Sequence, residues 1–164
     1  MDDSSIEDTL DTVLSEFRTG SGNSETGLEV DDPALLQLRK SCRMLEAVQS
    51  LQAQNGYYTV IIEASFASIE RSIQFYLREK DYIREDDFVD HRNVYDLGEN
   101  AALYSTDFKQ KLVQLWENNR SRTYYREGVG TDKSARLMVD LAEQIHRHIL
   151  QLAGESHECI CKTA

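Results

Sequence analysis

The chain has 164 residues, a formal net charge of -11, 29% charged residues and a single proline. That length suits one domain around one core, and the composition is that of a soluble, helix-rich globular protein. No run approaches the ~18 apolar residues of a spanning helix, and no basic-then-apolar leader opens the chain. A cytoplasmic protein with no membrane contact is expected, and Cys42, Cys159 and Cys161 are too few and too poorly spaced for a disulfide framework.

The acidity is uneven. Residues 1–32 hold ten acids and one base, Arg18, whereas the remaining residues hold 19 acids and 17 bases. The body is close to neutral and the charge belongs to an N-terminal arm, which acts as a solvated tail or covers a basic site elsewhere. An acidic chain also suits the salt-rich cytoplasm of a haloarchaeal protein. Within the arm, Ile6, Leu10, Val13 or Leu14, and Phe17 recur at helical spacing with acids opposite, which predicts a short amphipathic helix able to dock on the body or on a protein partner. Gly20, Gly22 and Gly27 with their serine, asparagine and threonine neighbours then read as a linker.

Asp32-Pro33 starts a helix, with aspartate as cap and proline in the first turn. Leu35, Leu38, Cys42, Leu45, Val48 and Leu51 continue it in steps of three and four until Asn55-Gly56. A second stripe, Ile62, Phe66, Ile69, Ile73 and Leu77, predicts the strongest helix and an antiparallel hairpin with the first. Glu85-Asp86-Asp87 reads as the start of a third helix, with Phe88, His91, Val94 or Tyr95, and Ala101 or Ala102 on one face across Gly98. Thr106 is the expected cap of a fourth helix through Phe108, Leu112, Leu115 and Trp116. Thr131 or Asp132 caps a last one, on which Met138, Ala142, Ile145, Ile149 and Leu152 line the buried face as far as Gly154. No segment alternates β-branched with polar residues, so the predicted fold is all-α. It is an antiparallel bundle of four to five helices over residues 33–154, with an acidic arm at 1–32 and a C-terminal tail at 155–164.

Between the fourth and last helices lies Asn118-Asn119-Arg120-Ser121-Arg122-Thr123-Tyr124-Tyr125-Arg126, with three arginines, two tyrosines and no acid. Arginine presents a planar fork of donors that matches phosphate, and tyrosine offers a flat face on which a base can stack. Arg120, Arg122, Tyr124, Tyr125 and Arg126 are the candidate ligand-binding residues, with Lys133 and Arg136 added from the N-terminal turns of the last helix, the favourable dipole end for an anion. The plainer reading has the tyrosines packing at the bundle end and the arginines pairing with Glu117 and Glu127 or anchoring a protein interface.

This order of helices, with Tyr57-Tyr58 opening the helix of Ala64, Ala67 and Glu70, a following helix with His91, and a fourth helix running into an arginine-tyrosine segment, resembles the HEPN (higher eukaryotes and prokaryotes nucleotide-binding) family over residues 34–152. The resemblance implies a homodimer, a nucleotide or RNA ligand, no cofactor, and a setting in prokaryotic defence or toxin-antitoxin-like regulation. Many members are metal-independent endoribonucleases with four to six residues between an arginine and a following histidine. Arginine steadies the phosphate charge there and histidine moves a proton. Arg120 takes the arginine's place, but Tyr125 stands where the histidine would be, and a tyrosine of ordinary pKa near 10 is a poor base at neutral pH. The resemblance thus implies binding more than cutting. The alternatives are a dimerisation or protein-interaction module without nucleic acid, and a ribonuclease using Arg120 with Tyr125.

Arg84 and His91 have the family's spacing, but before the third helix, and His91 falls in step with Phe88 and Val94 as a satisfied, partly buried residue would. His157, Cys159 and Cys161, with His146 and His148 upstream, invite a metal reading. Their spacing is not that of a common zinc knuckle, and a terminus with two free thiols accounts for them as well. Glu63 and Glu70, seven apart on one helical face, read as solvated surface.

Overall fold

The protein's computed structural model describes residues 3–20, 22–84, 86–119, 128–154 and 158–161. Six α-helices occur among them: α1 (Asp3–Thr19), α2 (Pro33–Gln52), α3 (Tyr58–Glu79), α4 (Asn93–Asn100), α5 (Thr106–Trp116) and α6 (Asp132–Ala153). The all-α expectation holds for these residues.

Three long helices form the core. The Asp32 carboxylate accepts from the Ala34 and Leu35 amides, and Pro33 occupies the first helical position of α2. Leu38, Cys42, Leu45 and Val48 face inward from α2, and Ile61, Phe66, Ile69, Ile73 and Leu77 from α3. Burial of each such side chain contributes about 1.5–3 kcal/mol. The start of α2, at Pro33 and Ala34, lies beside Arg78 and Glu79 at the end of α3, and further along Ser41 meets Ser68, so the two run in opposite directions, as an antiparallel hairpin demands.

The last helix departs from a wholly antiparallel bundle. Gly130 donates to Thr59, His146 meets Ser72, and Lys80 donates to the Ala153 carbonyl, so α6 advances along α3 in the same direction. The long excursion through α4 and α5 returns the chain to the end where α3 began. Gly130 makes that return: a Cβ there would lie 3.0 Å from Ile62 Cδ1 and from the Tyr58 and Thr59 backbone. Thr131 caps α6, and Gly154, at φ +78°, ends it.

Other expectations are corrected. The Glu85-Asp86-Asp87 start fails: residues 86–92 form turns, in which Asp87 accepts from the Arg84 amide and Asp90 from the Arg92 and Asn93 amides. Short acidic side chains there bond to nearby backbone instead of starting a helix, and α4 begins only at Asn93. Phe88, expected on the inner face, is exposed, as is Ala102, while Val94, Tyr95 and Ala101 are buried. The α5 cap is Ser105, whose hydroxyl accepts from the Phe108 amide, while Thr106 donates to Glu99. Leu152 is exposed, while Leu150 and Ala153 on either side of it in sequence are buried.

α1 keeps its amphipathic pattern, yet Ile6, Leu10, Val13, Leu14 and Phe17 are all exposed, Phe17 at 87%. The linker is held to the body: Arg39 donates to the Gly27 carbonyl and Arg43 pairs with Glu25.

Candidate functional site

Two polar constellations lie at different places in the bundle. The first is a groove of about 450 Å³ between the loop before α4, α4 itself and α5, lined by His91, Arg92, Tyr95, Lys109, Trp116 and Glu117 among others. A volume in this range accommodates a nucleotide-sized ligand.

Behind its wall stands Glu70, which the seven-residue spacing assigned to the surface. Glu70 is instead only 4% exposed, because α4 lies across α3 at that point. The buried carboxylate accepts from the Tyr95 hydroxyl at 3.2 Å and pairs with His91 Nδ1. A buried carboxylate requires such partners. His91 is therefore satisfied as expected, but its ring remains mostly in solvent on a loop, and the bond to Glu70 sets its orientation at the groove.

Tyr104 supports α4 from behind by donating to the Tyr95 carbonyl at 2.9 Å. Its ring lies so close to Gly98 that no side chain fits there, which is why a glycine interrupts this face. Burial pushes the Tyr104 phenol well above its ordinary pKa, with Asp96 and Glu99 adding to the effect, so it stays a donor. Lys109 bridges Asp96 at 2.9 Å and Glu99 at 3.1 Å, fastening α5 to α4. Trp116 closes the groove, and its indole N–H is buried without an acceptor among the described residues. A π-helical turn over 117–119 follows, in which Asn119 donates to the Leu115 carbonyl. Such turns often mark places where function displaces regular geometry.

The sequence-predicted residues distribute unevenly around this groove. Arg120, Arg122, Tyr124, Tyr125 and Arg126 lie outside the described residues, immediately after the groove's Trp116 and Glu117. Lys133 and Arg136 are exposed on α6, Arg136 paired with Asp132 at 3.0 Å, and neither lines the groove. Arg84 and His91 are not brought together: Arg84 lines a separate cavity with Asp32, Pro33 and Arg78.

The second constellation is a cluster of sulfur and imidazole. Cys42 from α2, His146 from α6, and Cys159 and Cys161 from the tail place one ligand atom each within 4.8 Å of all the others. Cys42 Sγ lies 3.6 Å from Cys159 Sγ and 3.7 Å from His146 Nε2, which is itself 3.5 Å from both Cys159 Sγ and Cys161 Sγ. The other ring nitrogen, Nδ1, meets Ser72 Oγ at 2.9 Å and Ser41 Oγ at 3.3 Å. The Ser41 hydroxyl in turn reaches Ser68 Oγ and donates to the Ser68 carbonyl. Cys42 and His146 are buried; Cys159 and Cys161 are half-buried.

Crowding sets the thiol chemistry. Cys159 receives hydrogen bonds from Cys161 and Cys42, which hold it well below the usual thiol range. The same contact with Cys159 raises Cys42, together with burial, to about 11, and raises Cys161 strongly. Three thiols this close cannot all ionise without a cation among them.

Cys159 and Cys161 were thus candidates in sequence, whereas Cys42 read as an apolar core position and His146 as one of two tail-proximal histidines. His148 lines a different cavity with Ile145 and Ile149, and His157 lies outside the described residues. The signal that unites the four is tertiary: α2 and α6 cross where the tail returns.

No curated protein and no solved structure matched the chain. A family model described as Domain of unknown function (DUF8154) matches residues 1–161, and the chain belongs to that family.

Proposed function

We propose that this protein is a HEPN-like regulatory domain that binds the phosphate of a nucleotide or RNA at the α4–α5 groove, without full nuclease activity. The observation that carries the reading is the groove itself. It has room for a nucleotide, Arg92 and His91 on its walls and Trp116 beside them, and in sequence its α5 wall leads into the arginine-tyrosine segment. An arginine neutralises phosphate, and the half-buried Trp116 ring supplies a stacking surface. Tyr125 in place of a histidine removes the proton carrier that cleavage would use.

The test is fluorescence anisotropy with a labelled single-stranded RNA and with ATP as competitor, at fixed salt. Wild-type protein binds with an affinity that falls as salt rises, and Arg120→Ala and Arg92→Ala each weaken binding about tenfold, the loss expected for one charge-assisted bond. Absence of binding, or variants that bind like wild type, sinks the proposal. Metal-free cleavage that disappears in Arg120→Ala and Tyr125→Phe would replace it with the ribonuclease reading.

A second reading rests on α1. Its exposed Leu10, Leu14 and Phe17 fit a helix that packs on a second copy or a protein partner. Light scattering of wild type and Leu10→Glu decides whether α1 makes a homodimer: the dimer reading needs a doubled mass that the variant loses.

A further inference from the structure

We propose that Cys42, His146, Cys159 and Cys161 form a closed, four-coordinate Zn²⁺ site that staples the C-terminal tail to the bundle. A zinc ion bound tetrahedrally, with Zn–S of about 2.3 Å and Zn–N of about 2.05 Å, sets its sulfurs about 3.8 Å apart and each sulfur about 3.6 Å from the nitrogen. The observed sulfur–sulfur separation of 3.6 Å and sulfur–nitrogen separations of 3.5, 3.5 and 3.7 Å match those edges.

The surroundings are those of a metal site as well. A ligating histidine normally gives its other ring N–H to a fixed acceptor, which selects the tautomer and aims the lone pair at the metal. Ser72 is in that position at Nδ1, itself steadied by Ser41, and both serines are fully buried. The Cys161 amide approaches Cys159 Sγ at 3.4 Å, and the Ile160 backbone makes a hydrogen bond to Cys42; amide donors of this kind spread thiolate charge. Three soft thiolates and one imidazole favour zinc over calcium or magnesium. A disulfide would engage two sulfurs and leave the third sulfur, Nε2 and the serine network without purpose. Four protein ligands leave no open position, so the site is structural and not hydrolytic.

The metal's mechanical role follows from what the tail touches. Glu158 pairs with Arg39 at 3.2 Å, and Arg39 also holds the Gly27 carbonyl. Ile160 closes on Gly27, at φ +88°, where an added Cβ would stand 2.5 Å from Ile160 Cδ1. Zinc thereby locks α2, α6, the tail and the linker behind α1 into one unit.

The test is metal analysis of full-length protein purified without chelator, followed by Co²⁺ replacement. One zinc per chain is expected, with the visible absorption of a tetrahedral, thiolate-rich Co²⁺ site and thiols protected from Ellman's reagent until a chelator is added. Cys161→Ser loses the metal on dialysis, whereas Cys161→His keeps one equivalent with a shifted Co²⁺ spectrum, which separates ligand loss from misfolding. A chain that takes up no zinc under reducing conditions, a Cys42–Cys159 disulfide in the native protein, or Cys161→Ser that retains full zinc overturns the proposal.

Discussion

The two polar constellations differ in how completely their groups are paired. At the Cys/His cluster, each ligand atom has at least one other at 3.5–3.7 Å, and a buried serine network stands behind the imidazole. At the α4–α5 groove the charges are mixed, the walls open to solvent, and an indole N–H lacks an acceptor among the described residues. Convergence with saturation is the mark of a site that holds the fold together. A groove whose backing is saturated, through Glu70, Tyr95 and His91, while its mouth stays open to solvent, is the mark of a site shaped to receive something.

That contrast breaks or sharpens by measurement, the largest effect first. Chelation of zinc is expected to remove about 4 kcal/mol when free metal had exceeded its dissociation constant a thousandfold, a fall in Tm of about 8–16 °C for a domain of this size. Calorimetry with and without chelator reads it, and an unchanged Tm would erase the distinction between the sites. Ser72→Ala is expected to weaken zinc about 10–100-fold while leaving anisotropy at the groove untouched. Competition with a chromophoric chelator measures the first half; a parallel loss of RNA binding would mean the two sites are coupled.

At the groove, Tyr95→Phe removes the hydroxyl that Glu70 accepts and should cost about 1.5–3 kcal/mol in urea denaturation, since the bond goes to a buried carboxylate. Zinc stoichiometry should not change. A smaller effect of about 1 kcal/mol is expected for Asp32→Ala, which strips the α2 cap far from both sites and calibrates what a purely structural loss looks like.

The smallest effect is a pH dependence confined to the groove's outer edge. The Thr106 hydroxyl, and then Lys109, hold the Glu99 carboxyl below its ordinary 4.5. A depressed carboxyl stabilises the fold above its unfolded pKa, and that contribution disappears as pH falls through the lower folded value. Thr106→Val should therefore lie slightly below wild type in Tm at pH 7, and the gap should close as pH drops below about 4. A gap that widens in acid would mean Thr106 acts other than through Glu99.

Residues that succeed locally were legible in sequence. Asp32 and Pro33 announce a helix start because capping involves only the next three residues, and the 3.6-residue stripe of α3 needs nothing beyond itself. The acidic turn before α4 misled because carboxylates favour helix N-termini and turns alike, and only the Asn93 neighbourhood decides between them. Glu70 misled for a different reason: its burial depends on α4, 25 residues later, supplying a tyrosine hydroxyl.

Composition, charge partition and periodicity by themselves determined an all-helical chain with an amphipathic N-terminal helix and an arginine-tyrosine segment after the fourth bundle helix. Each rests on contacts within a turn or two, which a linear pattern encodes. Tertiary structure alone decided that α6 lies parallel to α3, that Glu70 is a buried partner of His91, and that Cys42, His146, Cys159 and Cys161 converge. These depend on which helix faces cross in space, over separations such as the 117 residues between Cys42 and Cys159, and no local spacing carries that information.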